Sequence, residues 1–211
     1  MGTITVAGEG RIAARPDLAI LTLGVEIHAT TLAEAMDEAS GTMGRVLQAM
    51  RAAGLTDADL RTARYSVQVD YDQKTGRPSD SAGYGVVNLV EARVRDLNRV
   101  GPVLDEAVAA GANKVLAVTF DVADSGSLEN QARAAAMADA RGRAEQLARL
   151  AGVELGSVVQ ISEGGAVVPI PRVEVRALAA VSYSTPIEGG ELWITARVQV
   201  TFETMTPNGR E

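Results

Sequence analysis

The sequence predicts an α+β fold in which antiparallel sheets pack against three main helices. Long stretches alternate apolar and polar residues, and three other stretches space their apolar residues at helical intervals. Strand pairs are interleaved with single helices along the chain, as expected of antiparallel sheet lying under helices. One domain over residues 3–204 follows, with lobes at 3–96 and 97–204 as an open alternative and a frayed tail at 205–211.

The first two strands span residues 3–29. Ile4, Val6, Gly8, Gly10 and Ile12 alternate with polar or small neighbours, and after Arg15-Pro16-Asp17 the same holds for Ala19, Leu21, Leu23, Val25 and Ile27. Pro16 sits where no ladder donor is needed, so the pair reads as a hairpin. Thr31-Leu32-Ala33-Glu34 is a capping box that opens a helix, and Gly54 supplies a left-handed stop. Leu32, Met36, Ala39, Met43, Val46, Met50 and Ala53 form its inward stripe.

Two further strands follow at 62–72 and 83–95. They carry Tyr65, Val67, Val69 and Tyr71, then Tyr84, Val86, Val90, Ala92 and Val94. Between them, the polar segment Gln73 to Ala82 reads as an exposed, mobile connection. The second helix begins within Asp96–Gly101 and ends at Gly111, with Val100, Leu104, Ala107 and Val108 inward; Pro102 favours a start at Asn98. A strand at Lys114–Val122 follows, with Leu116, Val118, Phe120 and Val122 on one face.

The third helix runs from about Ser127 to Ala151 and stops at Gly152. Its inner stripe is Leu128, Ala132, Ala136, Ala140, Ala144, Leu147 and Ala151, small enough to let a helix lie close on a sheet. On its outer face Glu129–Arg133, Asp139–Arg143 and Glu145–Arg149 each place an acid four residues before a base, about 0.2–0.5 kcal/mol per pair. Strands at Val153–Ser162 and Leu192–Phe202 complete the pattern, the last alternating without a break.

Composition narrows function. The chain has 211 residues, no cysteine, one histidine, 3% aromatics and a net charge of −7. Absence of cysteine removes disulfides, thiolate zinc sites and cysteine nucleophiles. An acidic chain with few aromatics does not suit nucleic acid, and no cofactor is expected. No run approaches the ~18 apolar residues of a membrane span. Met1-Gly2-Thr3-Ile4-Thr5-Val6 shows no basic segment followed by an apolar one, so as written the chain is expected in the cytoplasm. The periplasm or cell envelope is the alternative, should an export signal have been trimmed.

Each candidate for chemistry has a plainer use. Gly8-Glu9-Gly10 lacks the third glycine of a dinucleotide loop and reads as strand glycines that permit close packing. Asp70-Tyr71-Asp72-Gln73-Lys74-Thr75-Gly76 begins like a calcium loop but has Lys74 at an acid's place and no closing Glu. His28 has no nucleophile elbow to serve, and Ser162-Glu163-Gly164 does not resemble one. Glu9, Asp17 and Glu26 share the expected hairpin and could pair as acid and base, yet a solvated face or subunit contact suits them better. Catalytic and metal sites are therefore expected to be absent.

Residues 164–190 are rich in Val, Ile, Ala and Pro without a clear period. Such a stretch either packs as an edge strand on its own domain or buries apolar surface on another subunit. The second alternative nominates Val167, Val168, Ile170, Val173, Val175 and Leu178 as an oligomer contact.

Several short motifs in order resemble the SIMPL-domain family. They are Val6-x-Gly8-x-Gly10, Pro16-Asp17-x-Ala19, Asp59-Leu60-x-Thr62 with Tyr65, Gly83-Tyr84, Val94-Arg95-Asp96-Leu97, Gly111-Ala112-Asn113 and Phe120. Ala132-Arg133, Ala138-Asp139-Ala140-Arg141, Ala144-Glu145 with Leu147-Ala148, Gly152-Val153, Pro186-Ile187, Gly190-Glu191 and Val198-x-Val200 continue the series, so that it spans residues 3–204. The resemblance implies an envelope-associated bacterial protein, some of whose relatives are immunogenic or linked to oxidative stress and form ring- or channel-like homo-oligomers. It implies no catalytic residue, and the chain departs from exported members in showing no signal peptide. The resulting expectation is a non-enzymatic, self-assembling scaffold, ring or compartment. The alternative is a small-ligand-binding protein with an acidic inter-lobe site.

Overall fold

A computed structural model describes residues 2–69, 83–164, 168–172 and 189–206. The elements run β1 (Gly2–Ala14), β2 (Leu18–Ala29), α1 (Leu32–Ala52), β3 (Leu60–Val69), β4 (Tyr84–Val94), α2 (Val100–Ala109), β5 (Lys114–Asp121), α3 (Gly126–Ala151), β6 (Glu154–Glu163), β7 (Val168–Arg172) and β8 (Glu191–Met205). The fold is α+β, with two antiparallel sheets under helices.

β1 and β2 do not form the expected hairpin. β1 pairs with β8 along its whole length, from Gly2 opposite Thr204 to Ala14 opposite Leu192, whereas β2 lies between β4 and β5. Alternation records which side chains face inward but not which strand lies alongside, so chain adjacency was the wrong guide. The two strands belong to different compact units. One unit holds β1, α3, β6, β7 and β8; the other holds β2 to β5 with α1 and α2. The chain crosses between units at Pro16–Asp17 and again at Asp121–Val122, not near residue 96.

In the unit of α1 and α2 the strand order is β3-β4-β2-β5. The capping box forms as expected: Thr31 Oγ1 accepts from the Glu34 amide at 3.3 Å and the Glu34 carboxylate accepts from the Thr31 amide at 3.2 Å. α1 buries Ala35, Ala39, Thr42, Met43, Val46 and Met50. Leu32 and Met36 stay largely exposed, because steps of three and four admit either Ala35 or Met36 and the smaller side chain takes the close contact. α2 follows a 3-10 turn at Leu97–Arg99 and buries Val100, Val103, Leu104 and Ala107, leaving Val108 exposed. On β5 the single face breaks at a bulge: Thr22 pairs with Ala117 and Leu23 with Val115, so Leu116 is the extra residue and stands 63% exposed. Val118 and Phe120 still pack on the core.

The other unit is built on contact between α3 and its sheet. β8 buries Leu192, Ile194, Ala196, Val198, Val200 and Phe202, the alternation expected of it. Against it and β1, α3 sets Ala132, Ala136, Ala140, Ala144 and Ala148 in one row at steps of four, so Leu147 and Ala151 fall off the stripe. A Cβ on Gly8 would meet Ala140 Cβ at 2.7 Å, and one on Gly10 would meet the Ala136 amide nitrogen at 2.5 Å. The two strand glycines and the alanine row therefore create one close interface. Glu129–Arg133 and Asp139–Arg143 pair as expected at 3.5 and 2.9 Å, but Glu145 takes Arg141 at 3.4 Å rather than Arg149. Met205, assigned to a frayed tail by the sequence, still belongs to β8 opposite Glu154; residues 207–211 lie outside the described residues.

All three helices end in the same way. Gly54, Gly111 and Gly152 adopt positive φ, and the following amides return to Met50, Ala107 and Ala148. These are Schellman closures that satisfy the last carbonyls of each helix.

Candidate functional site

The family motifs supply three structural knots. Asp139 on α3 accepts a hydrogen bond from the Glu9 amide of β1 at 2.8 Å and also pairs with Arg143. The Glu9 hydrogen bond is the main cause holding the Asp139 carboxyl below the usual carboxylate range. The glycines on either side of Glu9 bring the helix close enough for that bond. Asn113 prolongs the sheet with its side chain: its Oδ1 accepts from the Glu26 amide at 2.7 Å and its Nδ2 donates to the Glu26 carbonyl at 2.9 Å. Asp59 is buried and accepts from the Thr56 hydroxyl at 2.6 Å and the Thr56 amide at 3.0 Å, while Arg95 Nη1 donates to it at 2.6 Å. Its carboxyl is held below the usual range, first by the Thr56 hydroxyl, then by the Thr56 amide, with Arg95 adding to both.

The acids considered for catalysis divide between the two compact units, Glu9 in one and Asp17 and Glu26 in the other. Glu9 accepts from Arg11 at 2.9 Å and lies 3.5 Å from Arg197, and the Arg11 hydrogen bond is the main cause that lowers its pKa. Glu26 pairs with Lys114 at 2.6 Å in the other compact unit. No hairpin joins them, so the acid–base pairing of Glu9, Asp17 and Glu26 loses its premise. His28 is exposed on β2. Gly8 and Gly10 serve packing within a strand. The calcium-like segment 70–76 lies outside the described residues, among which no group of three or more His, Asp or Glu side chains could hold a metal.

The sheet edges differ in a way that the sequence did not reveal. An open edge presents free amides and carbonyls to another strand unless it is blunted. On β1, Asp139 occupies the Glu9 amide. β6 is irregular between Leu155 and Gln160, β5 carries the Leu116 bulge, and β7 contains Pro169 and Pro171. β3 differs from these: after one irregularity between Thr62 and Arg64, it pairs regularly with β4 from Arg64 to Val69. Tyr65, Val67 and Val69 are exposed along this segment, and Arg64 is its only charged residue. Of the nominated contact residues, Val168 and Ile170 lie in β7, which pairs with β8; Val167, Val173, Val175 and Leu178 lie outside the described residues.

The profile of the SIMPL family, described as a protein of unknown function (DUF541), matches residues 4–202. The chain belongs to the SIMPL family. It is 39% identical over 209 residues to the 26 kDa periplasmic immunogenic protein of Brucella melitensis, covering 95% of this chain and 84% of that relative. A protein of the same name from Brucella abortus matches equally, at 39%. The uncharacterized protein YggE of Escherichia coli K12 is 30% identical over 158 residues, 75% of this chain and 64% of its own. The Brucella names overturn the cytoplasmic expectation drawn from the N-terminal residues. Export leaders are cleaved on secretion, so the first residues of a chain are a poor guide to its compartment. No helix among the described residues is long and apolar enough to cross a membrane.

Proposed function

We propose that this SIMPL protein is a non-enzymatic scaffold of the periplasm that self-assembles through the β3 edge. The observation that carries the reading is the unblunted, apolar segment Arg64–Val69, set against blunting features on the other described edges. A second strand laid along β3 would pair the backbone groups that no described strand takes and cover Tyr65, Val67 and Val69. The apolar segment around Val167, Val168, Ile170, Val173, Val175 and Leu178 is the second contact of the assembly. Periplasmic placement is supported by the names of the two Brucella relatives.

Light scattering of the whole chain at micromolar concentration tests the assembly. A mass that is a multiple of 22.0 kDa is expected, falling for Val67→Lys and on deletion of residues 166–185. A wild-type mass of one chain at all concentrations refutes self-assembly. An assembly unchanged by Val67→Lys removes β3, and one unchanged by the deletion removes the second contact.

A further inference from the structure

We infer that the chain carries an anion site for a phosphate group in the cleft beside Asp59. The cleft has a volume of about 440 Å³ and lies wholly within the unit of α1 and α2. That volume falls within the range of about 300–1,000 Å³ usual for small-molecule sites. The loop after α1, the end of β4 and the start of α2 close around it, with Leu55 and Val103 as apolar lining. Arg93, Arg95 and Arg99 also line it, in a chain whose net charge is −7.

Arg95 and Arg93 each have a carboxylate partner, at 2.6 and 3.9 Å, and Arg99 has none among the described residues. Asp59 is buried, pinned by Thr56, and takes one nitrogen of Arg95, which holds that guanidinium at the cleft wall. A guanidinium has further donors in a planar fork suited to phosphate oxygens. Arg93 lies 3.9 Å from Glu91, whose carboxylate is taken more closely by Arg61 at 2.6 Å. Asp96 accepts from the amide and side chain of Asn98, both at 3.1 Å, and Arg99 has no ion pair among the described residues. Three arginines and two carboxylates, Asp59 and Asp96, thus line the cleft, an excess of one positive charge, with Glu91 outside it as the more distant partner of Arg93. This is the opposite charge from the acidic inter-lobe site that composition offered as the alternative.

The phosphate belongs either to a soluble molecule or to a lipid headgroup, and calorimetry together with vesicle co-sedimentation distinguishes them. Pyrophosphate is titrated into the whole chain at low ionic strength, and vesicles with and without phosphatidylglycerol are tested separately for co-sedimentation. Saturable binding of either probe is expected, weakened about tenfold or more by Arg99→Gln and by Arg93→Gln. Arg149→Gln, an exposed change on α3 in the other unit, should leave binding intact. Pyrophosphate binding would assign a soluble ligand, and binding only to phosphatidylglycerol vesicles a headgroup. Absence of binding to both probes, or equal losses in Arg149→Gln and Arg99→Gln, overturns the site.

Discussion

Replacing Gly10 with alanine tests the close interface that organises the unit of α3. The added Cβ would lie 2.5 Å from the Ala136 amide nitrogen and closer still to the Ala132 carbonyl oxygen, both helix backbone atoms that cannot rotate away. Unstrained contacts of this kind need about 3.5 Å, so α3 and β1 must separate by about 1 Å. Four buried alanine methyls, of Ala132, Ala136, Ala140 and Ala144, line the contact, each worth about 0.8 kcal/mol when fully packed. A gap of that width forfeits up to about half of the contact energy, roughly 2 kcal/mol. Residual overpacking adds about 1–3 kcal/mol. A loss of about 3 kcal/mol or more corresponds to a fall in Tm of roughly 6–12 °C for a chain of this size. Gly142→Ala on α3 is the internal control, because nothing lies within 4 Å of its Cβ position. There alanine should raise stability by about 0.5–1 kcal/mol through helix propensity alone. Thermal unfolding followed by circular dichroism measures both variants. A Gly10→Ala protein with unchanged Tm would refute the claim that strand glycines are required by the helix above them.

Asp59→Asn should flatten the acid limb of the stability curve. The folded carboxyl titrates below its unfolded value, so its contribution is fully present above about pH 4 and is lost as pH falls through the lower folded pKa. Urea unfolding between pH 2 and pH 6 checks it, and an unaltered slope counts against the Thr56–Asp59–Arg95 knot. Asn113→Ala should cost about 1 kcal/mol and speed amide exchange at Glu26, whose N–H and carbonyl both lose a partner; unchanged exchange there removes Asn113 from the sheet's support. Thr31→Ala should cost about 1 kcal/mol while Thr31→Asp restores most of it, as denaturant unfolding will measure.

Local chemistry made much of this protein legible from its residues. A capping box needs only Thr31 and Glu34 three positions apart, and a Schellman closure needs only a glycine after the last turn; both formed where the residues stood. The β8 alternation likewise recorded its buried face, because a pleated strand has only two faces. Family motifs were visible too, but not their roles: Asp139, Asn113 and Asp59 act through partners 130, 87 and 36 residues away.

Position in space was decided elsewhere. Whether β1 lies beside β2 or β8, and which strands end a sheet, depends on long-range pairing that alternation cannot encode. The same holds for the cleft. Composition records a chain of net charge −7, while Arg93, Arg95 and Arg99 stand within seven residues and folding sets the distant Leu55, Thr56 and Asp59 beside them in one cleft. The sequence by itself determined the segments, their caps and their inward faces, since these depend on neighbours a few residues apart. The tertiary structure alone decided which strands end a sheet among the described residues and which segments line one cleft, since both arise from residues brought together across the chain.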